Sequence, residues 1–82
     1  MNRILVELFV PALGKTYEVW IPNDISIAIL KRLLSRAILD MSEGQLIINE
    51  SNVIMNENGC IYQKDTLIED TDIINGTKLL VI

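Results

Sequence analysis

The final seventeen residues, Thr66 to Ile82, constrain this chain more than any other stretch. They run as a polar turn, an Asn75-Gly76 reversal, and then Lys78-Leu-Leu-Val-Ile82. A strand this apolar belongs inside a sheet, because at an edge it would expose unpaired backbone beside sticky side chains. The rest of the chain must therefore supply strands on both sides of it.

Taken from the N-terminus, Arg3 to Val10 alternates. Ile4, Val6, Leu8 and Val10 share one face, and Arg3, Leu5, Glu7 and Phe9 share the other. Pro11-Ala-Leu-Gly14 breaks the run, and Thr16 to Ile21 resumes it with Tyr17, Val19 and Ile21 inward and Glu18 and Trp20 outward. Two alternating runs joined by a short Pro/Gly turn make a hairpin, which Pro22 ends by lacking an N–H for the ladder. Ser26 is the best N-cap for the next element, with Asp24 as competitor. From there apolar residues at 27, 30, 34, 37, 38 and 41 form a helical stripe that predicts a helix from 26 or 27 to about 40. Lys31, Arg32, Ser35, Arg36 and Asp40 take the opposite face. Ile29 and Leu33 lie on the boundary, widen the stripe beyond what one sheet face requires, and leave open a second contact surface.

Ser42-Glu-Gly44 ends the helix. Leu46-Ile47-Ile48 is too short for periodicity to classify, and reads either as a brief strand or as a loop plugging the end of the core. Val53-Ile54-Met55 reads as a strand with Ile54 in and Met55 out, Asn56 to Gly59 as a turn, and Cys60-Ile61-Tyr62 as a short return strand. Gln63 to Asp72 is polar and turn-rich. The order β-β-α-β-β-β, with one amphipathic helix to bury, calls for a mixed sheet packed on that helix, its last strand parallel to its first. This is the β-grasp, an α+β fold, here a single domain spanning residues 1–82.

Composition narrows the function. Seven basic residues against eleven acidic ones leave a net charge of −4, which argues against nucleic acid. No apolar run approaches the ~18 residues of a membrane span, and Glu7 and Pro11 interrupt anything resembling a signal peptide. Cys60 is alone, so no internal disulfide forms and a cytoplasmic location is expected.

The spacing Thr66-Leu67, Ile73, Gly76, Leu79, Val81 resembles the close of ubiquitin-like domains. Counting back from Leu67 at ubiquitin's spacing sets Ile61 on the buried residue of the short strand. The link from helix to third strand is several residues longer here. The chain is also similar to the small bacterial ubiquitin-like proteins of the YukD/EsaB kind, through Tyr17-Glu-Val-Trp-Ile21 and the ending Ile73-x-x-Gly76-x-x-Leu79. That resemblance implies a non-enzymatic accessory or regulatory component of a type VII secretion system in a Gram-positive bacterium.

Candidate chemistry is sparse. A ubiquitin-like carrier or modifier with an activated C-terminus needs a flexible Gly-Gly tail, and no glycine follows Gly76. A ferredoxin of this fold needs four cysteines. Gly14-Lys15-Thr16 imitates a phosphate loop, but the motif would need glycine at Phe9 and a helix after it. Glu69, Asp70 and Asp72 lack further oxygen ligands at cation-site spacing. There is no histidine for general-base or zinc work, and Cys60, without such a partner, reads as a buried or half-buried strand residue. No catalytic, cofactor or metal site is expected.

Surface remains. The inward sets leave Leu5, Phe9, Trp20, Met55, Leu80 and Ile82 on the outer sheet face, with Val53 and Lys78 nearby. The expectation is that Leu5 lies beside Leu80 and Ile82, with Trp20 one strand away. A contiguous apolar patch marks an interface, and burying ~300 Å2 is worth on the order of 7 kcal/mol before association costs. The expected partner is a protein or a second copy of the chain. A purely structural subunit of a larger assembly is the other reading from this face.

Overall fold

The computed structural model describes residues 3–49 and 51–82. Its elements are β1 (Arg3–Val10), β2 (Lys15–Pro22), α1 (Ile27–Met41), β3 (Ile54–Asn56), a single 3-10 turn (Ile68–Asp70) and β4 (Lys78–Val81). The strands form one sheet in the order β2-β1-β4-β3, with β1 and β4 parallel and the other pairs antiparallel. The apolar terminal strand is thus central, as its composition requires. One helix crosses a mixed sheet, and the β-grasp expected from the element order is the fold observed.

Alternation sets the sheet's inner face. Val6, Leu8, Val10, Ile21, Ile54, Leu79 and Val81 are buried, and they meet Ile27, Leu30, Leu34 and Ile38 of α1. Ser26 caps the helix: its hydroxyl accepts from the Ile29 N–H at 3.2 Å, satisfying a donor that the helix cannot. At the other end the Gly44 N–H reaches back to the Leu39 carbonyl at 2.8 Å, with φ of 81° at Gly44, and the helix stops.

The ambiguous stretch after the helix resolves as a loop. Ile48 is buried and Leu46 packs against the core, while Ile47 faces water. Residues 46–49 have no strand partner, and Leu46 and Ile48 plug one end of the core. The stretch 63–72, polar to the eye, is tied to the start of α1. Ile27 N–H donates to the Thr66 carbonyl at 3.0 Å, Ile68 N–H to that of Ile25 at 2.9 Å, and Glu69 N–H to that of Asn23 at 2.9 Å. This pinning drives Ile68 fully into the core.

Three sequence expectations are corrected here. The short return strand shrinks to one bridge, Met55 with Ile61. Directly opposed residues of an antiparallel pair share a face, so Ile61, opposite outward-facing Met55, points outward too; it is 58% exposed rather than buried. The residue that packs inward is Tyr62, whose N–H donates to the carbonyl of buried Ile54 at 3.3 Å. The buried residue of the 3-10 turn is Ile68, not Leu67, and that shift of one moves the inward position from Ile61 to Tyr62. Cys60 is exposed, not buried, because it belongs to the tight turn that the Asn56 side chain closes by accepting from the Asn58 and Cys60 N–H groups.

The phenol of Tyr62 is also held away from its ordinary pKa. Burial, and then its 2.8 Å hydrogen bond to an Asp72 carboxylate oxygen, push its phenol from 10.0 up to about 12. The fold favours the neutral phenol, so the stability it contributes is intact below pH ~10 and is lost as pH rises towards the folded value. In a Tyr17→Phe background, ultraviolet titration of the phenolate will show Tyr62 ionising late, and Asp72→Asn will bring it partway back.

Candidate functional site

The outer face of the sheet is set by the same alternation that builds the core. The strand register arranges its residues in rows. Trp20 lies opposite Leu5, Glu18 opposite Glu7, and Thr16 opposite Phe9 across β1 and β2. The parallel pairing places Glu7 with Lys78 and Phe9 with Leu80, and β3 adds Met55 opposite Leu80. One row further, Val53 and Ile82 exchange two backbone hydrogen bonds of 3.0 Å.

The six expected residues therefore share a face but form two groups. Phe9, Leu80 and Met55 form one continuous row across three strands, and Ile82 lies in the next row. Leu5 and Trp20, the latter 63% exposed, form a separate pair. The expectation that Leu5 adjoins Leu80 and Ile82 is corrected: Leu5 lies beside Gly76, whose N–H donates to its carbonyl at 2.7 Å. Between the two groups runs a charged row of Glu18, Glu7 and Lys78. The area of the six cannot be summed as one patch.

The structure adds residues to the larger group. Ile61, bridged to Met55, extends the apolar row outward. Glu7, Phe9, Thr16, Glu57, Lys78 and Leu80 line a shallow depression of about 310 Å3 on this face. Phe9 and Leu80 are its apolar lining, and Glu7, Glu57 and Lys78 bring both signs of charge to it. That Glu7 and Lys78 share this face is readable from alternation; Ile61 required the strand pairing.

Position along β1 is held by Asn75. Its side-chain Oδ1 accepts from the Leu5 N–H at 2.7 Å while Gly76 N–H meets the Leu5 carbonyl, so an asparagine amide completes the ladder where β4 has not yet begun. Gly76, at φ 91°, makes the reversal there. Asn75→Ala leaves the Leu5 amide without this acceptor and is expected to cost about 1 kcal/mol in urea unfolding, with Asn75→Asp closer to the parent.

Among the described residues, no group of three or more His, Cys, Asp or Glu side chains could hold a metal ion, and no helix is long and apolar enough to cross a membrane. The face offers apolar area and fixed charges, which suit recognition of another surface.

No protein-family model and no curated protein matches the sequence. Solved structures do match. The chain is similar to the ubiquitin-like domain of EccD5 from Mycobacterium xenopi at 9% identity and a TM-score of 0.82, covering 100% of this chain and 94% of that one. It is similar to a subunit of the ESX-5 inner membrane complex in its MycP5-free form, at 10% identity and a TM-score of 0.81 over 100% of this chain; it spans 21% of that subunit. A chain of the toluene 4-monooxygenase HD complex is similar at 8% identity and a TM-score of 0.79, with 98% and 96% covered. At such identities the likeness establishes a ubiquitin-like fold. Among these neighbours the fold occurs in an inner membrane complex and in a monooxygenase complex, so the fold alone does not fix a function.

Proposed function

We propose that this domain is a non-enzymatic protein-interaction module of the YukD/EsaB kind, acting in the bacterial cytoplasm as an accessory or regulatory component of a type VII secretion system. Its docking surface is the outer sheet face, centred on Phe9, Leu80 and Met55, with Ile82 beside them and Leu5 and Trp20 as a smaller flanking contact. The observation that carries the reading is the continuous apolar row Phe9–Leu80–Met55, extended by Ile61, on a domain similar in fold over 100% of its length to the ubiquitin-like domain of the Mycobacterium tuberculosis type VII secretion system protein EccD1. Aromatic residues and Met are favoured at interface centres, and a mixed-charge rim sets register. The partner is a protein of the secretion machinery or a second copy of this chain.

The test compares two double variants, Phe9→Ala with Leu80→Ala, and Leu5→Ala with Trp20→Ala. Each is checked for native circular dichroism, then for self-association by sedimentation and for recovery of secretion-system subunits from its own cells. The first pair should abolish association and the second should weaken it. Unchanged association in both folded variants would sink the proposal. So would an adduct or thiocarboxylate at the C-terminus in the intact mass of the native protein, which would identify a carrier instead.

A further inference from the structure

The opposite side of the molecule holds a second surface, formed by α1 and the loop at 46–49. Ile29 and Leu33, one helical turn apart, are 44% and 47% exposed, although the helix has already buried its core stripe. Together with Ile48 and Asn49 they line a groove of about 620 Å3, against about 310 Å3 for the sheet-face depression. Arg32 and Arg36, also one turn apart, bring positive charge to its lining. The Ser35 hydroxyl donates to the Lys31 carbonyl at 2.7 Å, so this polar group is tied to the helix backbone.

The charge of this groove runs against the charge of the chain. The protein carries a net −4, yet Arg32 and Arg36 both line this one groove. Asp40, near the far end, is the only acidic residue of α1. Neither guanidinium forms an ion pair with another described residue, and both are exposed. Guanidinium groups one turn apart match carboxylates at the same spacing on a facing helix, and they bind them through paired N–H donors. Exposed Ile29 and Leu33 supply the apolar ridge that such a helix would cover.

We infer that the groove between α1 and the 46–49 loop is a docking site for an acidic amphipathic helix of a partner protein, whose apolar stripe covers Ile29 and Leu33 while its Asp or Glu residues meet Arg32 and Arg36. The site lies apart from the sheet face and stands or falls independently of it.

The whole isotope-labelled chain is titrated with a synthetic helix of leucine, alanine and glutamate carrying leucines at i, i+3, i+4 and i+7. A second peptide has lysine in place of every glutamate. The acidic peptide should shift amides of α1 and residues 46–49 only, with affinity falling as salt rises. Arg32→Ala with Arg36→Ala should weaken it about tenfold. Ile29→Ser with Leu33→Ser, at half-exposed sites outside the core, should weaken it while the variant keeps its native circular dichroism. Phe9→Ala with Leu80→Ala should bind as the parent does. The inference is overturned by no amide shifts, by equal binding of the lysine peptide, or by shifts on the sheet face. It is also overturned if vesicles of phosphatidylcholine and phosphatidylserine bind the groove and the acidic peptide does not, which would make it a membrane contact.

Discussion

Leu79→Ala is expected to bring this domain close to unfolding at ambient temperature, while Leu80→Ala, its neighbour in sequence, leaves it folded. Leu79 is fully buried on the inner face of β4, with Leu8 beside it on β1 and Asn56 on β3. Truncating such a leucine removes its transfer free energy and leaves a cavity that the central strand cannot collapse to fill. The expected loss is about 2–5 kcal/mol. A domain of this size has little in reserve, with total stability of roughly 5–15 kcal/mol at best. At about 4–8 °C per kcal/mol, the melting temperature should fall by at least ~8 °C. Leu80 is half-buried on the outer face, and its truncation should cost about 1 kcal/mol or less. Thermal denaturation of the two variants checks this, and a larger loss at Leu80 than at Leu79 would contradict the inward and outward assignment of β4.

The second large effect is at Ile68. It is 0% exposed although it sits in a 3-10 turn amid Asp65, Glu69, Asp70 and Asp72, whereas Leu67 beside it is 37% exposed. Ile68→Ala should therefore cost about 2–5 kcal/mol, and Leu67→Ala markedly less. The loss at Ile68 combines the cavity with slackening of the hydrogen bonds that tie residues 66–69 to the start of α1. Urea unfolding with unchanged slope separates this from a change in the unfolded state. Equal losses at the two positions would show that the turn is not seated in the core as described.

These two residues mark the limit of what could be read from sequence. The inner face of β1 and the buried stripe of α1 were legible because their periods are local: Ile4, Val6, Leu8 and Val10 differ by two, and Ile27, Leu30, Leu34 and Ile38 by three or four. Leu67 and Ile68 have no such period to choose between them, so the tertiary contacts to Ile25 and Asn23 decide. The candidate site was legible in part for a related reason. Alternation assigns a face but not a row, since a strand slipped by two or four residues keeps every side chain on its own side. All six expected residues share the outer face, yet the β1–β4 register puts Phe9, not Leu5, beside Leu80. The charged row of Glu18, Glu7 and Lys78 that separates the two groups depends on that register. Ile61 was hidden because a chain count placed it in the core, when its pairing with Met55 turns it to the surface.

The parallel pairing of β1 with β4 also governs when the domain can fold during synthesis. Leu5 is held by Asn75, seventy positions away, and the sheet order leaves a vacant lane between β1 and β3 until residues 78–81 arrive. A nascent chain exposed only as far as Asn56 can form its hairpin and helix, but β1 then presents an open, apolar edge able to capture any other strand. Contacts this distant in sequence also form slowly compared with helices and hairpins. The domain is thus obliged to complete its sheet late, with its most aggregation-prone edge uncovered until the last strand clears the ribosome.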